Sequence, residues 1–157
     1  MRDSTTLNGT GDVLQILFHG QKRDASQRCS RQPVSPAAHS ATKRMAGSNG
    51  NVAPVATISC GGLNLPDGAA VDSLGNLYVA NLQGDSISIF PSRANGCVKA
   101  SHIRGRRTQL SHPAGAMISG SQLFITNTGT HSITVYPTSA RGDVRPSRKI
   151  EGSNTGL

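Results

Sequence analysis

From residue 46 onward the apolar positions come in short runs that alternate with small polar residues. Ser86-Ile87-Ser88-Ile89 and Ser132-Ile133-Thr134-Val135 keep the two-residue period of a pleated strand. Ile87, Ile89, Ile133 and Val135 therefore share faces that must be covered. Each run is bounded by Gly, Pro, Asn, Asp or Ser, the residues that end strands and make turns. Strands are expected near 68–72, 76–81, 86–90 and 100–104, and again near 115–119, 122–127, 132–136 and 147–151. Val55 to Ser59 reads as one more, placed like the fourth strand of a preceding set. Amphipathic helical periodicity is absent after residue 45.

The two sets are copies of one unit. G-N-L-Y-V-A-N-L-Q-G-D-S-I-S-I-F-P at 75 to 91 returns as S-Q-L-F-I-T-N-T-G-T-H-S-I-T-V-Y-P at 121 to 137. Leu77 answers to Leu123, Asn81 to Asn127, Ile87 to Ile133 and Pro91 to Pro137, each 46 positions apart. Pro66, Gly68 and Val71 answer to Pro113, Gly115 and Ile118, 47 apart, and the extra residue falls in the turn after the first strand. Ala94, Gly96 and Val98 match Ala140, Gly142 and Val144. A further phase shows in G-N-V-A-P at 50 to 54, which parallels G-D-V-R-P at 142 to 146. A unit of this length with four strands is the pattern of a propeller blade. The fold expected is all-β, a partial β-propeller of about two four-stranded blades plus one leading strand.

Residues 1 to 45 carry no such repeat. G-Q-K-R-D-A-S-Q-R-C-S-R-Q-P and S-P-A-A-H-S-A-T-K-R are rich in Ser, Gln, Pro and Arg and offer little apolar surface against the ordering entropy. This segment is expected to be largely disordered, with a short strand or helix at 13 to 18. The organisation expected is thus 1–45 non-repeat and 46–157 partial propeller, with a blade edge at 46–60 and blades at 66–104 and 113–152.

Composition agrees with thin layers. The 157 residues include no Trp, two Tyr, three Phe and 18 Gly, so the core must come from Val, Ile, Leu and Ala. Lys and Arg number 16 against 8 Asp and Glu, a net charge of +8. That balance reads as a solvated basic exterior, and without aromatic stacking platforms nucleic acid is an unlikely partner. No apolar stretch has the length of a membrane span. Val13 to Phe18, preceded by Asp12, is too short for a signal-peptide core, and localisation is left open.

P-x-G-A-x-V-D-S-x-G-N-L-Y-V-A-N at 66 to 81, followed by S-I-S-I-F-P and A-N-G-x-V, resembles an NHL-type six-bladed propeller repeat. It is similar to the repeats of the gluconolactonase-like superfamily. The resemblance covers residues 46 to 157 and implies a fold, since this architecture hosts binding modules and several enzymes; related repeats are often found in exported proteins. It also implies a ligand face, made by the loops that lead into each first strand and those that join second to third.

On that face fall Asp67, Asn81, Asp85, His112, Asn127 and His131, with Arg104, Arg106 and Arg107 in an incoming loop. Asn81 and Asn127 hold equivalent places, and each is expected to tie its loop to backbone N–H groups. The resemblance implies another role for them, as contacts to an axial divalent cation such as calcium. His112 and His131 lack counterparts, because Leu65 and Asp85 stand in the other copy. No catalytic motif or metal-type spacing is present. Cys60 and Cys97 are expected on opposite faces and unbonded to each other.

The reading that follows is a non-catalytic binding or scaffold module, completed by a protein partner or by further copies of itself through exposed blade faces. Three copies would supply six blades. The alternatives are part of a lactonase-like, divalent-metal-dependent hydrolase, and RNA binding through a basic face. The closing S-N-T-G-L matches the approach to a next blade, so the chain is expected to be a fragment of a larger propeller or one that oligomerises to close a ring.

Overall fold

The computed structural model describes residues 2–7, 13–19, 40–44, 53–59 and 62–157. Its strands are β1 (Arg2–Leu7), β2 (Val13–His19), β3 (Ser40–Arg44), β4 (Ala56–Ile58), β5 (Pro66–Val71), β6 (Leu77–Asn81), β7 (Ser86–Phe90) and β8 (Ser101–Arg104). A single 3-10 turn at Arg106–Thr108 follows, then β9 (Pro113–Ser119), β10 (Gln122–Asn127), β11 (Ser132–Pro137) and β12 (Arg148–Ile150). They form three antiparallel four-stranded sheets in chain order, β1 to β4, β5 to β8 and β9 to β12. Each is a meander of the blade type, and the fold is a partial β-propeller. Among the described residues no helix is long and apolar enough to cross a membrane.

The strands of the second and third sheets fall where the alternation puts them, and the extra residue of the repeat is absorbed in a turn. The D-S-L-G-N turn is organised by Asp72, whose Oδ1 accepts from the backbone N–H of Leu74 at 3.0 Å and of Asn76 at 2.8 Å. The shorter turn of the next blade passes through Gly120 at φ 57°.

The first sheet departs from expectation. β4, read as an isolated leading strand, pairs with β3, and β3 with β2. The stretch expected to be largely disordered thus contributes three strands, and the short element anticipated at 13–18 is β2. The reason lies in strand chemistry: a ladder is made of backbone hydrogen bonds, and a polar strand such as S-A-T-K-R joins one as long as its inward positions fit. Ala41 is that inward position, buried with Ile58 against the next blade. The repeat extends there too, since Ser40 and Thr42 stand 46 positions before Ser86 and Ser88, themselves 46 before Ser132 and Thr134.

Two cores lie between the blades. Ala41 and Ile58 meet Ala69, Val71, Leu77, Val79, Phe90 and Ala100 of the second sheet. The opposite face of that sheet, with Tyr78, Ala80, Ile87, Ile89 and Ile103, meets Leu123, Ile125 and Tyr136 of the third. Both faces of β6 and β7 are therefore buried along their whole length. The innermost strands stack in file, β1 on β5 and β5 on β9.

The blades are also joined at their outer rim. Ile58 forms a parallel bridge with Gly96, and Ile103 with Gly142. Ser59 N–H donates to Gly96 O at 3.2 Å and Gly96 N–H to Thr57 O at 2.7 Å. This corrects the placement of third-to-fourth connections wholly on the face away from the incoming loops. The connection from Phe90 to Ser101 is long enough to run back along the preceding blade's outer strand. Cys97 lies in it and is disulfide-bonded; its partner, Cys29 or Cys60, lies outside the described residues. The expectation for a Cys60–Cys97 link falls outside the described residues at Cys60, while Ser59 and Gly96, one position before each cysteine, are hydrogen-bonded.

Candidate functional site

The incoming loops and the second-to-third turns come together at one end of the sheets. Leu82 N–H donates to Leu65 O at 3.0 Å, and in the next blade Thr128 N–H donates to His112 O at 3.2 Å. Asp85 crosses between blades, its Oδ1 accepting from His112 N–H at 2.7 Å. Asn81, Asp85, His112 and Asn127 are thus drawn into one system of loops.

Within that system the two asparagines are structural. Asn81 is fully buried. Its Oδ1 accepts from Asn64 N–H at 3.0 Å, and its Nδ2 donates to Ser88 Oγ at 2.9 Å. Asn127 repeats the arrangement, with Oδ1 accepting from Ser111 N–H at 3.2 Å and Nδ2 donating to Thr134 Oγ1 at 3.0 Å. Each side chain closes the loop ahead of its blade onto the blade's own second and third strands. The sequence named the asparagines but missed their hydroxyl partners, Ser88 and Thr134, although these also stand one repeat apart.

The histidines have a backbone explanation. His112 and His131 adopt left-handed conformations, at φ 48° and 46°, and their counterparts Leu65 and Asp85 do the same at 50° and 40°. What the repeat preserves at these positions is a turn geometry that non-glycine residues adopt sparingly. Side-chain identity is free to differ. Asp67 is half-buried on β5.

The arginines sit elsewhere, at the outer boundary of the second and third blades. Arg104 N–H donates to Gly142 O at 3.1 Å, and Arg107 N–H donates to Asp143 Oδ1 at 2.7 Å. Arg104, Arg106 and Arg107 are exposed there beside Arg141 and Arg145, also exposed. The expected cluster is real as a basic rim, extended by two residues of the following connection that spacing in the sequence did not join to it.

One histidine outside the expected set is chemically distinctive. His102 on β8 has Nδ1 3.3 Å from Ser88 Oγ, whose hydroxyl lies 3.0 Å from Gly62 O. Burial, and then the Arg104 guanidinium, hold its pKa below the ordinary histidine value of 6.5. The folded protein therefore takes up this proton less readily than the unfolded chain. Its contribution to stability is intact above pH 6.5 and is lost as the pH falls below that value. Melting measured between pH 7.5 and 5 is expected to show this loss, and His102→Gln to flatten the profile; an unchanged slope would refute the assignment. Tyr136 shifts the other way, burial pushing its phenol up to about 12 while its hydroxyl donates to Thr108 O.

Among the described residues, the side chains expected to reach an axial cation do not make up a set of ligands for one. A hard cation takes about six oxygen ligands, yet one oxygen each of Asn81, Asn127 and Asp85 already accepts a backbone N–H. Among the described residues no three His, Cys, Asp or Glu side chains are grouped as a metal site would need.

No protein-family model matches the chain, and no curated protein matches it in sequence. Among solved structures it is similar to the periplasmic gluconolactonase PpgL of Pseudomonas aeruginosa, with a TM-score of 0.52 and 16% identity. That match covers 86% of this chain and 39% of PpgL, so the chain spans well under half of that protein's length. Apo AztD from Citrobacter koseri is also found, at a TM-score of 0.48 and 8% identity, covering 96% of this chain and 46% of AztD. The likeness to PpgL shows a shared β-propeller fold.

Proposed function

We propose that this chain is a non-catalytic β-propeller module that binds, holding a protein partner or further copies of itself through exposed blade surfaces. The observation that carries this reading is the use of Asn81 and Asn127. At the positions where an axial ligand contact is implied by resemblance, both side chains are buried and committed to the loops they fasten. The rival reading is a lactonase-like hydrolase, in which a divalent ion polarises a carbonyl and activates water. It draws on the likeness to PpgL, a likeness of fold.

Turnover of a gluconolactone by the purified chain, with calcium and after chelation, separates the two. No rate above buffer is expected in either condition. A calcium-dependent rate abolished by chelation would overturn the binding reading.

A second reading has its own observation, the basic rim. Arg104, Arg106, Arg107, Arg141 and Arg145 lie on two segments joined where Arg104 N–H donates to Gly142 O and Arg107 N–H to Asp143 Oδ1, and exposed guanidinium groups suit the phosphates of a single-stranded RNA. Its mark would be an affinity that falls steeply with salt.

A further inference from the structure

Five exposed arginines gather at the outer boundary of the second and third blades, on the segments 104–107 and 141–145. The bridge of Ile103 to Gly142 holds these two segments side by side. Against five guanidinium groups they carry one carboxylate, that of Asp143. It is already engaged by the main chain. Its Oδ1 accepts from Arg107 N–H at 2.7 Å, and the side chain packs over Gly105.

These charges do nothing for the frame that carries them. The same bridge joins the first and second blades, where Ser59 follows Ile58 as Arg104 follows Ile103. Ser59 N–H donates to Gly96 O at 3.2 Å, and Arg104 N–H to Gly142 O at 3.1 Å. One repeat before Arg141 and Arg145 stand Asn95 and Lys99. The boundary is thus fastened equally well without an arginine. Among the described residues the side chains of Arg104, Arg106, Arg107 and Arg145 make no hydrogen bond or ion pair. Arg141 only turns back on its own segment, Nη1 donating to Thr138 O at 2.9 Å and to Ala140 O at 2.6 Å.

Like charges held together repel, so a cluster that fastens nothing finds its counterpart outside the chain, in an anion. Guanidinium forks suit two kinds, phosphate and carboxylate. Single-stranded RNA is held by stacking its bases on aromatic rings as well as by its phosphates. Tyr78, Phe90 and Tyr136 are buried, and the large hydrophobic side chains exposed among the described residues are Val55, Leu74, Met117, Ile150 and Leu157. None of these is aromatic. A string of carboxylates needs no stacking platform.

We propose that this rim docks an acidic segment of a protein partner, whose Asp and Glu carboxylates pair with Arg104, Arg106, Arg107 and Arg145 while Asp143 stays on the main chain. The proposal rests on the reading of the chain as a non-catalytic module that holds a protein partner, and it gives that partner its chemistry. A single exposed ion pair contributes little. Several guanidinium groups engaged at once, on two segments fixed against each other, give both affinity and steering.

The test titrates a fluorescein-labelled oligoglutamate peptide with the full chain and reads its anisotropy. A Kd below about 200 micromolar is expected at about 50 mM salt, weakening at least about 10-fold at about 300 mM. Arg106→Glu and Arg145→Glu, one on each segment, are each expected to weaken binding about 10-fold with the melting midpoint unchanged. Arg93→Glu changes the net charge by the same amount, at an exposed position on the connection that runs along the first boundary. It is expected to cost less than about 3-fold.

A Kd weaker than about 200 micromolar for oligoglutamate overturns the proposal. So does a loss at Arg106→Glu no larger than that at Arg93→Glu, which would mean attraction to net charge alone. An oligouridylate of the same length bound more tightly than the peptide overturns it in favour of RNA. If Arg106→Glu fails to fold, Arg106→Gln removes the charge and provides the same readout. Lactone turnover would overturn the non-catalytic reading and leave peptide binding at the rim intact, so the two failures are distinguishable.

Discussion

Gly68→Ala is expected to lower the stability of the chain by about 3 kcal/mol, the upper part of the range for overpacking a well-packed site. The added Cβ would lie 2.1 Å from Ala114 O, 2.8 Å from Gly115 Cα and 3.0 Å from Ala116 N. All three are backbone atoms of a neighbouring blade, so no rotamer change relieves the contact. The strands must separate, and separation loosens the whole core in which Tyr78, Ile87 and Ile103 meet Leu123 and Ile125. Gly115→Ala is the matched comparison. Its nearest obstacle is Thr126 Oγ1 at 2.7 Å, a side-chain atom that can turn away after giving up its bond from Gly115 N–H. The cost there is expected to be about 1 kcal/mol, the value of one hydrogen bond. Urea unfolding measures both, and equal midpoints for the two variants would show that the backbone contact at Gly68 is not the constraint described.

Asn81→Ala is expected to cost roughly 2–4 kcal/mol, because it strands its partners as well as removing its own bonds. Asn64 N–H loses its acceptor, and Ser88 Oγ loses a donor inside a fully buried site. Asn127→Ala should cost a similar amount, since it removes the same pair of interactions one blade later. Thermal and urea melts of the two variants decide between the roles weighed for these residues. A fastening role predicts a large fall in midpoint at both positions. If both variants unfold at the wild-type midpoint, the asparagines hold nothing together and a ligand-contact role regains its footing.

How much of this was legible in the sequence depended on whether the repeat kept its apolar letters. The second and third blades could be read strand by strand, because Ile87 and Ile133, or Leu77 and Leu123, keep the same apolar letter at the same place in both copies. The first blade could not. There Ala41 stands for Ile87, Lys43 for Ile89 and Arg44 for Phe90, so only the polar frame Ser40-x-Thr42 survives. A hydrophobicity pattern cannot detect a repeat that has kept its hydroxyls and lost its hydrocarbons.

At the candidate site the sequence located Asn81 and Asn127 correctly as loop ties, because a small amide at a strand end has few other uses. It placed the histidines as loop residues without counterparts and could not say what their positions share. The shared property of His112 with Leu65, and of His131 with Asp85, is a backbone dihedral, and side-chain letters record that poorly. The contact between Asp85 and His112 N–H also joins different blades, which no spacing within one repeat encodes.

The rim bridges at Gly96 and Gly142 were equally silent, since their donors and acceptors are N–H and C=O groups common to every residue but proline. That anonymity has an effect on how such a chain can change over time. Where neighbouring blades are fastened by side chains, a substitution on one must be answered on the other. Where they are fastened by main-chain atoms at Ile58 to Gly96 and Ile103 to Gly142, exposed side chains that take no part in the bridge can be exchanged without breaking it. The exposed arginines beside those bridges are therefore free to be rewritten for a partner, while the frame that presents them stays as it is.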